Sequence, residues 1–413
     1  MANTIINTPE LLNLDSTTGA TILAKGTISE RPTGSAAIDG ALRFNTDTNK
    51  TEYFDGTGWY EIVDEYASGF VGPGTNYFDT KLYTGNGTTK SISTLNFQPG
   101  LTWVKAREQA NDNILVDSVN GAGSNKGLNS NAAYYEGQYT ATYGYISSLD
   151  SNGFTVSAGS SNANYTNVNN KDYVSWNWKA GGGAVLNEVG NIDSQVSVNR
   201  DSGFSIVKYT GSNSASGTVG HGLADAEIII LKDLTDGTNN WRVWQKDLSA
   251  NYWMYLNLTL EEVSAATDGG IRNVDATTFG FINGTTGGVE GVNSSASNYV
   301  AYCWQSVAGY SKIGTYLGNG NATGTIVQTG FTPSWVIIKN ATSSGAWCIF
   351  DSARNPTNSR YNLLQAQDSA AEIDLLNLYG LEGVDFLSTS FQLKDTNASR
   401  NTGGETYLYM AFA

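Results

Sequence analysis

The feature that most constrains this chain is an internal period: it carries the same set of landmarks three times. A Tyr followed by a Gly-containing turn occurs at Tyr83-Thr84-Gly85, Tyr209-Thr210-Gly211 and Tyr316-Leu317-Gly318. Each is answered downstream by an aromatic run, Tyr173-Val174-Ser175-Trp176-Asn177-Trp178, Tyr299-Val300-Ala301-Tyr302-Cys303-Trp304 and Tyr407-Leu408-Tyr409-Met410-Ala411-Phe412. Opening and closing Tyr are 90, 90 and 91 residues apart, and a second large residue lies five positions beyond each closing Tyr. Whatever one copy folds into, the chain builds three times.

Landmarks inside the period agree. Phe97 and Phe331 each precede a Pro and then a Trp-Val run ending in Lys105 or Lys339, while Glu227-Ile-Ile-Ile-Leu-Lys232 fills that slot in the middle copy. A second short strand is expected at Ile114–Asp117, Trp241–Trp244 and Trp347–Asp351, ending in Asp in the outer two copies, and a later one at Gly153–Val156, Thr278–Phe281 and Ser390–Leu393. These runs are short, aromatic or β-branched, and divided by Asn-Gly and Asp-Gly turns, the pattern of hairpins. The closing runs carry large residues on both alternating faces, so they read as strands covered on both sides, central to a sandwich. Helix is expected only from Thr259 to Thr267 and from Ser369 to Tyr379, each beginning with capping-box spacing to Glu262 or Glu372.

The fold expected is therefore all-β: three tandem β-sandwich repeats of jelly-roll type over 75–180, 202–306 and 310–413. The Gly-rich stretch 181–201 reads as a linker, and the short join after Ser306 places the second and third copies nearly end to end. Before them, residues 1–66 hold a small β-meander, with strands expected at Ala41–Asn45, Thr51–Asp55 and Trp59–Val63. A meander this small cannot bury a core alone, so Phe44, Phe54 and Trp59 are the candidate docking residues.

Charge narrows the function. There are 23 Lys and Arg against 38 Asp and Glu, and the Lys and Arg are nowhere clustered, so nucleic-acid binding is not expected. No apolar run approaches the length of a membrane span, and the opening residues lack the basic and apolar regions of a secretory signal, so synthesis in a cytoplasm is expected, without membrane insertion. The two cysteines, Cys303 and Cys348, are too few for a disulfide framework and read as buried thiols.

Chemistry-bearing patterns are scarce. The single histidine, His221, lies in a Gly-rich turn, and no Ser or Cys elbow accompanies it, so it reads as a loop residue rather than a general base. The acidic pairs Glu261–Glu262 and Glu372–Asp374 sit where helix starts are expected, a sufficient structural reason for acids. No cofactor, metal site or catalytic residue is assigned. Tyr134, Tyr135, Tyr139 and Tyr143 are the candidate ligand-binding residues, since aromatic rings can stack on sugars, although such residues also fill cores. Trp241 and Trp244 carry the same double reading more weakly, because their slot recurs in every copy.

The run Gly40-Ala41-Leu42-Arg43-Phe44-Asn45-Thr46-Asp47-Thr48-Asn49-Lys50, continuing to Tyr53-Phe54-Asp55-Gly56-Thr57-Gly58-Trp59, resembles a motif of phage tail-fibre and virion structural proteins. The repeated module, with its Trp-Val-Lys and aromatic-rich closing landmarks, is similar to repeats in fibres of marine and cyanobacterial phages. The resemblance implies concanavalin-A-like sandwiches, a virion location after synthesis in the host cytoplasm, an N-terminus attached to other virion proteins, and modules offered to a host-surface glycan or protein. It also implies a homotrimer. The alternatives are a decoration or adaptor protein that binds only virion proteins and, from another class, a polysaccharide depolymerase.

Overall fold

The computed structural model describes residues 24–413 except positions 38, 49, 55, 62–73, 265–268, 284–288 and 290. The ends of three expected elements, Asp55 of the second meander strand, Ile62 and Val63 of the third, and residues 265–267 of the first helix, lie outside the described residues, as do residues 1–23. The chain divides into two compact units, 1–69 and 70–413.

In the larger unit each copy lays down one four-strand arrangement in the same spatial order. An opening strand (Phe78–Thr84, Phe204–Thr210, Ser311–Leu317) pairs with the closing strand (Asp172–Trp178, Asn298–Trp304, Thr406–Phe412), followed by an inner strand (Leu101–Ala106, Ile228–Asp233, Trp335–Asn340) and a hairpin strand (Ile114–Asp117, Arg242–Gln245, Cys348–Asp351). The register is identical: Tyr83 faces Tyr173, Tyr209 faces Tyr299, and Tyr316 faces Tyr407. Over one face lies a three-stranded sheet, in the first copy Thr89–Ile92, Gly153–Ser157 and Tyr145–Asp150, with counterparts at 218–220, 278–282 and 270–272 and at 326–328, 390–393 and 384–387. Each copy is an all-β, antiparallel two-sheet sandwich.

The Tyr-x-Gly opening follows from a clasp at the sandwich end. Tyr83, Tyr209 and Tyr316 stack on the closing tyrosines at 5.1–5.2 Å between ring centroids. Their hydroxyls donate to the carbonyls of Thr166, Val292 and Arg400. The next residues, Asn167, Asn293 and Asn401, accept from the backbone N–H of Asn86, Ser212 and Asn319. The loop is thereby drawn so close that a Cβ on Gly85, Gly211 or Gly318 would overlap the carbonyl oxygen of Val168, Ser294 or Thr402. These glycines are required by that approach of two backbones, not by their φ.

Three expectations need correction. Residues 181–201 are not a linker: Val185–Asn187 and Ser194–Asn199 are strands added at the opening-strand edge of the middle copy's large sheet, which reaches eight with Tyr252–Tyr255 and Val263–Ser264 at its other edge, and Val196 and Val198 alternate inward onto that copy's core. The helix expected from Ser369 begins only after Asp374, whose carboxylate accepts from Asn377 N, and spans Leu375–Tyr379. Residues 259–262 are not helical, and Val263–Ser264 is a short strand. In both places the Glu read as closing a capping box is used elsewhere: Glu262 accepts from Ser249, and Glu372 pairs with Arg107 and Arg354.

The copies are also not strung end to end. On each closing strand, one face packs within its own sandwich; the other contributes Val174, Trp176 and Trp178, Val300, Tyr302 and Trp304, and Leu408, Met410 and Phe412 to one core shared by all three copies. A large sheet that is apolar on both faces has to be covered twice. Here the second cover is the backs of the other two sheets. At the centre Trp178 lies 6.0 Å from Trp304 and 5.8 Å from Phe412, ring to ring. A void of about 20 Å³ there is lined by apolar residues from all three copies, without the polar partners a water needs.

Main-chain hydrogen bonds close the circle. Glu136 N donates to Leu234 O at 3.0 Å, Glu262 N to Ala341 O at 3.0 Å, and Glu372 N to Arg107 O at 2.7 Å. In each case the acceptor lies two residues beyond the Lys that the repeats share. The first copy thus holds the second, the second holds the third, and the third holds the first, by one contact used three times. A head-to-tail contact that closes after three steps is a cyclic arrangement, here within a single chain.

The smaller unit is a four-stranded sheet: Lys25–Gly26 parallel to Leu42–Asn45, then Lys50–Phe54 and Trp59–Glu61 antiparallel. Its polar face is the covered one. Glu52 is buried between Arg31 and Arg43 and accepts from Asn45 Nδ2, and the Arg31 hydrogen bond holds its carboxyl below the usual carboxylate range. Phe54 and Trp59 pack on each other, and Trp59 Nε1 donates to Pro32 O.

Candidate functional site

The loop between the hairpin strand and Tyr145 in the first copy carries the tyrosines singled out from sequence, and the fold treats them unequally. The backbone bends at Tyr139, a non-Gly residue at φ 68°, and continues as the short helix Thr140–Tyr143 capped by Gly144. A left-handed Tyr is uncommon and has to be held there by its surroundings. The bend sets Tyr134 edge-on to Tyr139 at 5.1 Å, Tyr139 against Tyr143 at 6.1 Å, and Tyr143 against Tyr165 at 5.4 Å. The result is a continuous strip of four rings, of which Tyr139 is 45 % exposed.

Tyr135 is not part of the strip. It lies over Gly237 of the middle copy, beside the ring-closing bond of Glu136, and serves the contact between copies. Tyr165 takes the place expected of it, and was not singled out from sequence because it lies twenty residues beyond the tyrosine run. Its hydroxyl donates to Asp112 Oδ2 at 2.9 Å, and Asn131 Nδ2 donates to Asp112 Oδ1 at 2.7 Å. Burial, then the Asp112 charge, drives the Tyr165 phenol far above its ordinary value. Tyr134 is shifted the same way by burial and the same carboxylate. The strip thus offers a row of aromatic rings with one anchored carboxylate at its inner end, a surface suited to stacking and hydrogen bonding.

The histidine, both cysteines and the acids Glu372 and Asp374 are held in structural contacts. His221 is buried; its Nδ1 accepts from Leu223 N, so Nε2 carries the hydrogen and donates to Asp275 O at 3.0 Å, and burial lowers its pKa. Glu372 is held between two guanidinium groups and Asp374 caps a helix. Cys303 and Cys348 are free and buried, and burial pushes the Cys303 thiol up to about 12. Trp241 is buried at the contact between copies, donating to Asn129 O and Ala132 O, while Trp244 is half-buried against the middle copy's core. Among the described residues no group of three or more His, Cys, Asp or Glu is placed to hold a metal ion, and no helix is long and apolar enough to cross a membrane.

The three docking candidates of the smaller unit fall on both faces of its sheet. Phe54 and Trp59 share the covered face with Arg43 and Glu52, whereas Phe44 alternates onto the other face with Leu42, Tyr53 and Tyr60. Leu42 is 49 % and Tyr60 48 % exposed, and Tyr53 and Tyr60 pack ring to ring at 5.9 Å.

A family model described as a domain of unknown function, DUF7483, matches residues 73–413. The chain belongs to this family. The match spans all three copies. No curated protein and no solved structure matches the chain.

Proposed function

We propose that this protein is a non-enzymatic structural virion protein of tail-fibre type, attached through its N-terminal unit and presenting the ring for adsorption to a host-surface glycan. The observation that carries this reading is the tyrosine strip: four rings in tilted and edge-on contact, one half exposed, ending on a fixed carboxylate, on a scaffold whose histidine and notable acids are bound into structural roles. Aromatic rings beside a hydrogen-bonding carboxylate are what a sugar face needs. The exposed Leu42, Tyr53 and Tyr60 of the smaller unit support attachment to another protein, because a sheet face of this kind is normally covered. The homotrimer belongs to the same proposal.

Binding of the full-length protein to a glycan array, with bound glycans then assayed for new reducing ends, tests the reading. Retention without cleavage, reduced at least tenfold by Tyr139→Ala, is the expected outcome. Release of reducing ends would replace it with a depolymerase; binding only to virion proteins would replace it with an adaptor.

A further inference from the structure

The third copy is open where the first copy is filled. Tyr165 and Ser399 are equivalent, each preceding the residue whose carbonyl accepts from the opening Tyr. Asp112 and Ala346 are equivalent, each two residues before the hairpin strand begins. Tyr143 and Tyr379 are equivalent too: each lies seven residues beyond a ring-closing Glu and ends a short helix capped by Gly144 or Gly380. The contact between the first two positions survives the change of side chain, since Tyr165 donates to Asp112 in the first copy and Ala346 N donates to Ser399 Oγ at 3.2 Å in the third. What differs is the space. In the first copy the Tyr165 ring packs edge-on against Tyr143. In the third, Ala346, Tyr379 and Ser399 line a cavity of about 270 Å³, with Leu363, Leu375 and Leu381 among its walls.

The surroundings of the cavity say what fits it. The helix beside it turns apolar side chains outward: Leu376 is exposed, Leu378 is 64 % exposed and Tyr379 65 %. Tyr379 belongs both to the cavity wall and to this patch, so the two are continuous. An exposed apolar patch with a pocket at its edge is the anatomy of a protein contact, in which an aromatic anchor enters the pocket and the side chains around it exclude water. A sugar is met by rings, which Leu376 and Leu378 lack. The charge around the patch is one-sided. Residues 368–385 hold five acids and no Lys or Arg. Arg107 and Arg354 are taken by Glu372, and Lys394 is shared by Glu382 and Asp385, so Asp368 and Asp374 form no ion pair among the described residues. Arg400, on the cavity wall, is neutralised by Asp395 at 2.7 Å.

We infer that this face of the third copy binds a basic segment of another protein, which seats one tyrosine side chain in the cavity and sets Lys or Arg beside Asp368 and Asp374. The incoming ring packs on Tyr379 as Tyr165 packs on Tyr143, so the partner supplies from outside what the first copy supplies from its own chain. Complementary charge selects the partner and speeds its approach, and the buried ring holds it. The inference is independent of the tyrosine strip and of glycan adsorption, which belong to the first copy.

The test uses the full-length protein with three acetylated and amidated peptides, KKYKK, KKAKK and EEYEE, followed by saturation-transfer NMR and calorimetry. KKYKK is expected to bind about tenfold more tightly than either of the others, with the strongest transfer to its tyrosine ring. Ser399→Tyr, which fills the cavity as the first copy does, is expected to weaken KKYKK about tenfold with an unchanged melting temperature. Tyr379→Ala, at an exposed position where folding is not at stake, should weaken the same peptide about fivefold and keeps the test decisive if Ser399→Tyr proves less stable. Either control peptide binding as tightly as KKYKK, binding of KKYKK undiminished by both variants, or no binding of KKYKK would overturn the inference. Binding of glucose or N-acetylglucosamine that Ser399→Tyr abolishes would replace the peptide with a sugar. Self-association of the full-length protein that Tyr379→Ala abolishes would replace it with a second copy of this chain.

Discussion

Asp117 and Asp351 end equivalent hairpin strands, and Gln245 stands in that place in the middle copy. The Asp117 carboxylate accepts from the turn that follows it, at Val119 N and Asn120 N, and its other oxygen reaches the next copy's closing strand, where Tyr302 Oη donates at 2.8 Å. Asp351 repeats this with Arg354 N and, in the first copy, Trp176 Nε1 at 3.1 Å. The closing-strand residue equivalent to Tyr302 and Trp176 in the third copy is Met410, which has no hydrogen to give, and Gln245 instead accepts from Asp247 N. The Asp–Gln difference is plain in the sequence, but its reason lies 185 residues away on another copy, where no local pattern can reveal it. Tyr302→Phe is expected to destabilise the protein by about 1–3 kcal/mol, the cost of losing a hydrogen bond to a buried carboxylate whose oxygen then keeps only Asn120 Nδ2. Denaturant unfolding combined in a double-mutant cycle with Asp117→Asn measures it, and additive single effects would contradict the pairing. Gly211→Ala is expected to cost about 1–3 kcal/mol by forcing two backbones apart, read from the same unfolding midpoint.

The inner strand and the loop after it show how an element carries both packing and charge. Lys105, Lys232 and Lys339 occupy one register position and are fully buried, and each Nζ donates to the carbonyl of the next residue, Ala106, Asp233 or Asn340. Two of them also reach into the hairpin loop, at Asn111 O and Asn239 O. Desolvation lowers all three to about 8. A lysine whose folded pKa lies below its unfolded value binds fewer protons when folded, so it destabilises the fold while charged, and that penalty is lifted as pH rises from about 8 toward 10.5. Buried tyrosines and cysteines, shifted upward, titrate in the opposite sense, so the measurement has to be differential. Relative to Lys232→Met, the native protein should gain at most about 2 kcal/mol between pH 8 and pH 10; a difference constant over that range would show that Lys232 does not titrate there. The strands themselves were legible because short aromatic and β-branched runs between Gly turns allow little else. The helices were misread at Thr259 and Ser369 because the capping-box glutamates mark something real but different: Glu136, Glu262 and Glu372 are the three residues whose N–H groups join the copies. Recurrence revealed their importance, and spacing alone could not distinguish a helix cap from a contact between copies.

At the scale of the whole molecule, the period in the sequence announced three sandwiches but not their arrangement. The closing strands, apolar on both faces, held the missing information: an open row of sandwiches would leave Trp178, Trp304 and Phe412 in water, whereas the ring brings them together. The tyrosine strip was legible as a run, and the Ser399–Ala346 opening was not, since it is visible only once the third copy is compared with the first. Ring closure also changes what self-association has to accomplish. Residues 70–413 already satisfy their own threefold contacts within one chain, so this unit needs no second copy to cover its large sheets. If the protein is a homotrimer, as proposed, the joining surface is the smaller unit's face of Leu42, Phe44, Tyr53 and Tyr60, not the ring. Light scattering should therefore show residues 70–413 to be monomeric and the full-length chain trimeric, with Leu42→Ser, Tyr53→Ser and Tyr60→Ser together returning the full-length chain to a monomer. A trimeric 70–413 fragment would move the joining surface onto the ring, and a monomeric full-length protein would remove the trimer altogether, leaving that apolar face free for a partner of another kind.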